Sequence, residues 1–439
     1  MARKDKKVTK ANKKKAKRAK RAKRARSGPS IFANAISYVR KSLADCNYMI
    51  LVMVIALSVF GVIMVFSAGF YSTVNVEKPD TYFYLRKQGM FAATGFVMLL
   101  VTANFDYHKY MRWSKPLLYI SVGLLLILMT PLGVTVNNAT RWINVGVTIT
   151  PGEISKLCMI IWTSAFFIKH PKGARQWNKD GLLTVLGVMM VHAALIIWQP
   201  NLSTAIVVCA IMVAISIVAG MDMRYIGGVV GAGIAGIFAI LTFGKGTHWY
   251  SRITSFLDPF AEAQGDGYQV TQGIIALGNG GLRGLGWGNS ISKNLYLPEP
   301  QNDFILAIIG EELGFIGFLI LMLAYIYLMY QCVMVALKAR DRFGLFLSSG
   351  VAVMLGLHVI INVAVVTSTM PATGITLPFV SSGGTSIWVF MIAMGIVLNV
   401  SKGQKMSPLL EINALSEKER RKKRKANREN RENRTREAE

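Results

Sequence analysis

The chain is 439 residues long, 52% hydrophobic, and carries a formal charge of +27. Most of that charge lies at the ends: residues 1–48 carry +15 and residues 401–439 carry +6, which leaves +6 across 49–400. Soluble domains are about one quarter charged, so this middle excludes the soluble globular, disordered and fibrous classes and leaves an all-α polytopic membrane protein between two basic tails.

Residues 1–26 are nearly all Lys, Arg and Ala. Each basic residue beside an anionic leaflet adds about 1 kcal/mol, so anionic lipid headgroups are the expected partners of this tail, with nucleic acid or protein as alternatives. A cleavable signal is not expected, because the basic stretch is long and no small-residue cleavage site follows the first apolar run. A helix needs about 20 mostly apolar residues to cross the hydrocarbon. Ten segments meet that need, near 49–68, 89–104, 117–132, 154–168, 182–198, 203–220, 225–243, 304–335, 344–368 and 385–400. The run 304–335 is the longest and is expected as one tilted or projecting helix. Loops 105–116, 169–181, 221–224 and 336–343 carry three, four, one and three Lys/Arg; loops 69–88, 133–153, 199–202 and 369–384 carry three, one, none and none. Positive charge favours the inner side, so both termini are expected in the cytoplasm, with a membrane domain at 49–400 and a charged tail at 401–439.

The outer segment 244–303 is the long exception. It mixes charges with Gly278, Gly280, Gly281, Gly284, Gly286 and Gly288, and with Tyr268, Ile274, Trp287 and Tyr296. Long loops in compact proteins are functional or disordered, and the aromatic content predicts a packed loop with re-entrant or interfacial helices.

Four groups could carry chemistry. Asp303, in Leu297-Pro-Glu-Pro-Gln-Asn-Asp303, stands where the long loop meets the eighth span; it reads either as a general base or as a helix N-cap. Glu153 and Lys156, in Pro151-Gly-Glu-Ile-Ser-Lys156, share a helix face at i, i+3 and either lock two helices or position a substrate. Arg141 suits bidentate phosphate binding or interfacial anchoring, as do Arg252 and Arg283. The segment Pro371–Ser386 is uncharged but rich in Gly, Pro and hydroxyls; Ser381, Ser382 and Ser386 beside Gly383 and Gly384 could form an anion nest or a packed turn. The sequence has no Walker A loop, HExxH or GxSxG motif, and its four cysteines and five histidines show no metal-ligand spacing.

Several blocks in one order resemble the SEDS (shape, elongation, division and sporulation) family. They are Thr140-Arg-Trp-Ile, Pro151-Gly-Glu-Ile-Ser-Lys, Gln199-Pro-Asn-Leu-Ser-Thr, Gly265-Asp-Gly-Tyr-Gln-Val-Thr-Gln, Gly286-Trp-Gly-Asn-Ser, Pro298-Glu-Pro-Gln-Asn-Asp-Phe-Ile, Ile309-Gly-Glu-Glu-Leu-Gly and Leu377-Pro-Phe-Val-Ser-Ser-Gly-Gly-Thr-Ser. The similarity covers about residues 45–403 and is greatest to the division and sporulation members. Asn201, Ser382 and Thr373 depart from the family pattern, which usually has Asp, Tyr and often Lys at these places.

The resemblance implies a peptidoglycan glycosyltransferase that polymerises lipid II into β-1,4 glycan outside the cytoplasmic membrane. It implies Asp303 as catalytic base and a functional Glu153–Lys156 pair. Arg141, Arg252, Gln269, Asn289, Ser381, Ser382 and Ser386 are the expected substrate contacts. A divalent cation (Mg or Mn) could assist at a site the sequence does not identify. A class B penicillin-binding protein and other division-complex proteins are the implied partners. The rival readings are a lipid II flippase and an elongation-type polymerase. Transport is disfavoured because expected spans such as the fifth, sixth, seventh and tenth contain no Asp, Glu, Lys or Arg.

Overall fold

The computed structural model describes residues 46–402, apart from 75–78, 137–138, 145 and, between 223 and 266, all but isolated positions. Residues 1–45 and 403–439 of the two tails, most of the expected span 225–243, and Arg252 lie outside the described residues. The helices are α1 (Tyr48–Val74), α2 (Phe83–Asn104), α3 (Lys109–Ile127), α4 (Pro151–Lys169), α5 (Leu182–Trp198), α6 (Leu202–Val218), α7 (Tyr268–Gly280), α8 (Ile305–Leu337), α9 (Arg342–Val366) and α10 (Gly384–Lys402). Each of the nine expected spans that falls among the described residues is a helix. By length and composition α1, α8, α9 and α10 can cross a membrane unaided, and α5 and α6 are shorter apolar helices.

Local chemistry sets several helix starts. Pro151 occupies the first turn of α4, with Glu153 near its positive end and Lys169 in its last turn. Asn201 caps α6 by accepting from Thr204 N at 3.3 Å, and Asp341 caps α9 by accepting from Gly344 N at 2.8 Å. The sequence predicts the third span to start just after Pro116, but α3 runs through that proline and begins at Lys109.

Between lipid-like surfaces the hydrophobic effect is weak, so close van der Waals approach holds the helices together. The packing of α10 against α2 shows this: a side chain at Gly395 would collide with Thr102 and the Leu99 carbonyl. Trp388 Nε1 also donates to Thr94 Oγ1 at 2.8 Å.

Residues 133–149 form a three-stranded antiparallel sheet that the span reading does not anticipate: β1 (Gly133–Val136), β2 (Ala139–Asn144) and β3 (Thr148–Ile149). Val134 faces Trp142 across β1 and β2, and Ile143 faces Ile149 across β2 and β3. The β-branched residues of this stretch are the local cause.

The longest apolar run is not one continuous helix. Gly314 breaks α8 with φ +68° and ψ −172°. The break frees the carbonyls of Glu311 and Glu312 and the amides of Phe315 and Ile316. The glycine loop after α7 supplies all four partners. Leu285 N donates to Glu311 O at 2.9 Å, and Gly286 N to Glu312 O at 3.0 Å. Phe315 N donates to Gly281 O at 2.9 Å, and Ile316 N to Leu282 O at 3.2 Å. Irregular backbone is tolerated where protein satisfies it, and here two lost helical bonds are replaced by four. Gly284 has φ +77° and lies against the Glu312 carbonyl, so a Cβ there would be both strained and obstructed. The described part of the long loop holds α7 and is fastened to α8 through this backbone ladder, but Trp287 and Tyr296, expected to be packed, are exposed at 56% and 54%.

Two buried carboxylates complete this lock. Glu312 pairs with Lys293 at 2.7 Å and accepts from Ser67 of α1, also at 2.7 Å. Glu311 accepts from the Ser290 hydroxyl, from Ser292 N at 3.2 Å and from Asn279 Nδ2 at 3.3 Å. Both glutamates are fully buried.

Candidate functional site

Asp303 is partly buried in the turn that leads into α8. The cap residue of that helix is Phe304, which makes no side-chain cap bond, so Asp303 stands one position before the cap. The backbone of Asp303 is held from another helix: Asn362 Nδ2 of α9 donates to Asp303 O and to Ile375 O, each at 2.8 Å. One amide thus ties the base of α8 to the segment 371–378.

Gly374 in that segment has φ +74°, a conformation that glycine adopts without cost. A Cβ placed there would lie 3.4 Å from Arg141 Nη1 and 3.9 Å from Asp303 Oδ2. Arg141 on β2 and Asp303 therefore converge on the same small volume, although 162 positions separate them in the sequence. Arg141 also donates to the Pro200 carbonyl through Nη2. The sheet that carries Arg141 is fastened to α10, because Thr385 Oγ1 accepts from Thr150 N and donates to Thr148 O, both at 3.1 Å.

Glu153 and Lys156 pair as the i, i+3 spacing predicts, Nζ to Oε1 at 2.6 Å. Lys156 is only 1% exposed. Its ammonium also meets His358 Nε2 of α9 at 2.7 Å. His358 in turn reaches the Thr376 carbonyl through Nδ1 at 3.2 Å. Ser386 lies beside the Glu153 carboxylate, and its hydroxyl shares a hydrogen bond with Thr376 Oγ1 at 2.9 Å. Lys156 is thus held by its buried partners, and among the described residues Arg141 is a cation that borders the same space beside Gly374 as the Asp303 carboxylate.

The serines before α10 build a turn. Ser381 Oγ accepts from Leu377 N at 2.8 Å, and Ser381 N donates to Leu377 O at 3.0 Å. Ser382 N donates to Gln301 O at 2.8 Å. These amides are already used, so the turn fixes the segment preceding Asp303 and forms no open anion nest at Ser381 and Ser382. Phe379 holds φ +67° within it while fully packed against Phe390. Such strain costs about 1–3 kcal/mol and persists where surroundings over-determine it. Three buried polar atoms lacking a protein hydrogen bond lie on these segments: Gln301 Oε1, Asn362 Oδ1 and Thr373 Oγ1.

The remaining expected contacts are spent within the long loop. Gln269 donates to the Pro298 carbonyl at 3.3 Å, and Asn289 to the Leu285 carbonyl at 3.2 Å. Among the described residues no three His, Cys, Asp or Glu side chains gather into a metal site, so these residues do not by themselves fit a divalent cation.

Sequence reasoning missed His358 and Asn362. Their signal is two polar side chains at i, i+4 on one face of an otherwise apolar span, a pattern that marks function inside membranes.

The family model described as cell cycle protein, FtsW/RodA/SpoVE, matches residues 47–406. The chain is 36% identical to the probable peptidoglycan glycosyltransferase FtsW of Trichlorobacter lovleyi over 372 residues, 84% of this chain and 96% of that one. It is 35% identical to stage V sporulation protein E of Bacillus subtilis over 360 residues, 81% and 97% of the two chains. Among solved structures, a chain of a peptidoglycan synthase complex superposes with TM-score 0.67 at 23% identity, covering 81% of this chain and 98% of that one. The rod shape determining protein RodA of Thermus thermophilus superposes with TM-score 0.60 at 22% identity, covering 82% and 98%. The fold is the RodA-like polytopic membrane fold, and the chain belongs to the FtsW/RodA/SpoVE family of cell cycle proteins.

Proposed function

We propose that this multi-pass membrane protein is a peptidoglycan glycosyltransferase of septal wall synthesis, in division or sporulation, with Asp303 as its general base. The names of the relatives support the activity and the setting. The observation that carries the site is the convergence of Asp303 Oδ2 and Arg141 Nη1 on Gly374.

In this reading the GlcNAc 4-hydroxyl of the acceptor gives its proton to the Asp303 carboxylate as its oxygen attacks the donor's anomeric carbon. The new C–O bond forms as the bond to the lipid pyrophosphate breaks, and that group leaves with the electron pair. In-line attack turns the α-linked donor into a β-1,4 product. A positioned base is worth about 10²–10⁴-fold. Arg141 stabilises the charge that develops on the leaving pyrophosphate, and Arg252 is a second candidate for that role. A divalent ion, if one takes part, would be completed by the substrate's phosphates.

The positive-inside pattern supports cytoplasmic termini and a reaction on the outer face. A crosslinking partner, a class B penicillin-binding protein, is proposed by analogy with the synthase complex whose chain shares the fold.

The test is reconstitution of the full chain with such a partner in vesicles containing lipid II. Long glycan supports the proposal. Movement of lipid II between leaflets without polymer supports transport instead.

A further inference from the structure

His358 is a buried titratable group that the reaction above does not use. It lies on α9, 202 positions from Lys156. Its two ring nitrogens face partners of opposite kind. The Thr376 carbonyl at Nδ1 only accepts, so Nδ1 carries the hydrogen. The Lys156 ammonium at Nε2 only donates, so Nε2 presents its lone pair. An imidazolium would set an N–H against an ammonium at 2.7 Å. The Nδ1–H tautomer alone satisfies both contacts.

The ring therefore bridges two parts of the site. On one side is the Glu153–Lys156 pair of α4. On the other is Thr376, two residues from Gly374, where Arg141 and Asp303 meet. Asn362, one turn along the same face of α9, fixes Ile375 and the backbone of Asp303.

We propose that His358 is a positioning residue for glycosyl transfer: as its Nδ1–H tautomer it joins Lys156 to the Thr376 carbonyl, so that the Glu153–Lys156 pair sets the place of the 371–378 segment against Asp303. The proposal rests on the glycosyltransferase reading. It gives the buried pair a task other than contact with substrate.

Two substitutions separate the bonds. In His358→Gln the side-chain oxygen reaches the Nε2 position and still accepts from Lys156. His358→Leu removes both bonds. Displacing a reacting group by about 1 Å costs about 10²-fold. His358→Leu should therefore lose about 10²-fold in kcat per folded molecule, with KM for lipid II nearly unchanged, and His358→Gln, which keeps the Lys156 bond but not the Thr376 bond, should recover little of the loss. In a Lys156→Met background His358→Leu should cost little more, because the ring acts through that ammonium.

Amide hydrogen exchange of residues 372–377 in the full chain supplies a readout independent of activity. It should quicken at least about tenfold in His358→Leu. Unchanged exchange, equal specific activity, or a loss that adds fully to that of Lys156→Met overturns the proposal. Asp303→Asn, assayed beside these variants, keeps the two ideas apart. If it polymerises like wild type, the base reading fails, while the exchange result still decides the coupling.

Discussion

The side-chain amide of Asn362 donates to the backbone carbonyl of Asp303 at 2.8 Å, and the same nitrogen donates to Ile375 at 2.8 Å. The carboxylate read as the base is thus set by a residue 59 positions away on another helix. Asn362→Leu keeps the size and removes both bonds. It should lower kcat by about 10²-fold with a small change in melting temperature, as read by polymerisation assay and thermal unfolding of the same preparation.

The ion pair of Lys293 and Glu312 is buried on both sides, at 3% and 0% exposure. Removing one partner strands a charge and should cost about 3–5 kcal/mol, whereas replacing both by apolar residues can be neutral. Lys293→Met should therefore lower the melting temperature sharply, and Lys293→Met with Glu312→Leu should recover most of it. Equal loss in the single and double variants would show that the hydrogen bonds to Ser67 dominate instead.

Gly284 and Gly288 both have positive φ, +77° and +80°, but only Gly284 abuts the Glu312 carbonyl. Alanine at either position carries a backbone strain of about 1–3 kcal/mol. Gly284→Ala adds a steric conflict that pushes the loop off the break in α8. It should destabilise the chain more than Gly288→Ala, and hydrogen exchange at Phe315 and Ile316 should rise only in the former.

At the other end of the bundle, His108 sits between two carboxylates. Nδ1 is 2.8 Å from Asp106 and Nε2 is 2.8 Å from Asp341. Burial lowers the affinity of this ring for its proton, but the hydrogen bonds and charges of Asp106 and Asp341 outweigh it, and the pKa is raised. A raised value means that the stabilisation is complete below the ring's ordinary pKa of about 6.5 and is lost as pH climbs through the folded value. Burial alone would raise the Asp341 carboxyl, but Tyr107, Gly344 N–H and His108 hold it low. That group therefore stays ionised as the pH climbs. The melting-temperature advantage of wild type over His108→Asn should be largest near about pH 6 and shrink toward about pH 9. A pH-independent gap would contradict this.

Span positions were legible because a membrane helix needs only a long apolar run, whatever its period. The break at Gly314 was not. The run is apolar on both sides of it, and its cause is a loop some thirty positions earlier. The apolar run begins at 117, but α3 starts earlier, at Lys109, because its first turns carry the polar and basic residues of the loop before it and continue through Pro116. Glu153 and Lys156 were legible because they are local partners. His358 and Asn362 act across helices, on the Lys156 ammonium and on the carbonyls of Thr376, Ile375 and Asp303. Nothing in local spacing shows such partners. The serines at 381 and 382 looked free for an anion because a sequence does not reveal which amides a turn already uses.

The most direct test of the account is polymerisation of lipid II by the full chain with its transpeptidase partner, comparing wild type with Asp303→Asn. Both proteins must bind the partner equally and melt alike. The account predicts long glycan from wild type and at least about 10²-fold less from the variant. Equal polymer from both would contradict it and leave Asp303 as part of the scaffold.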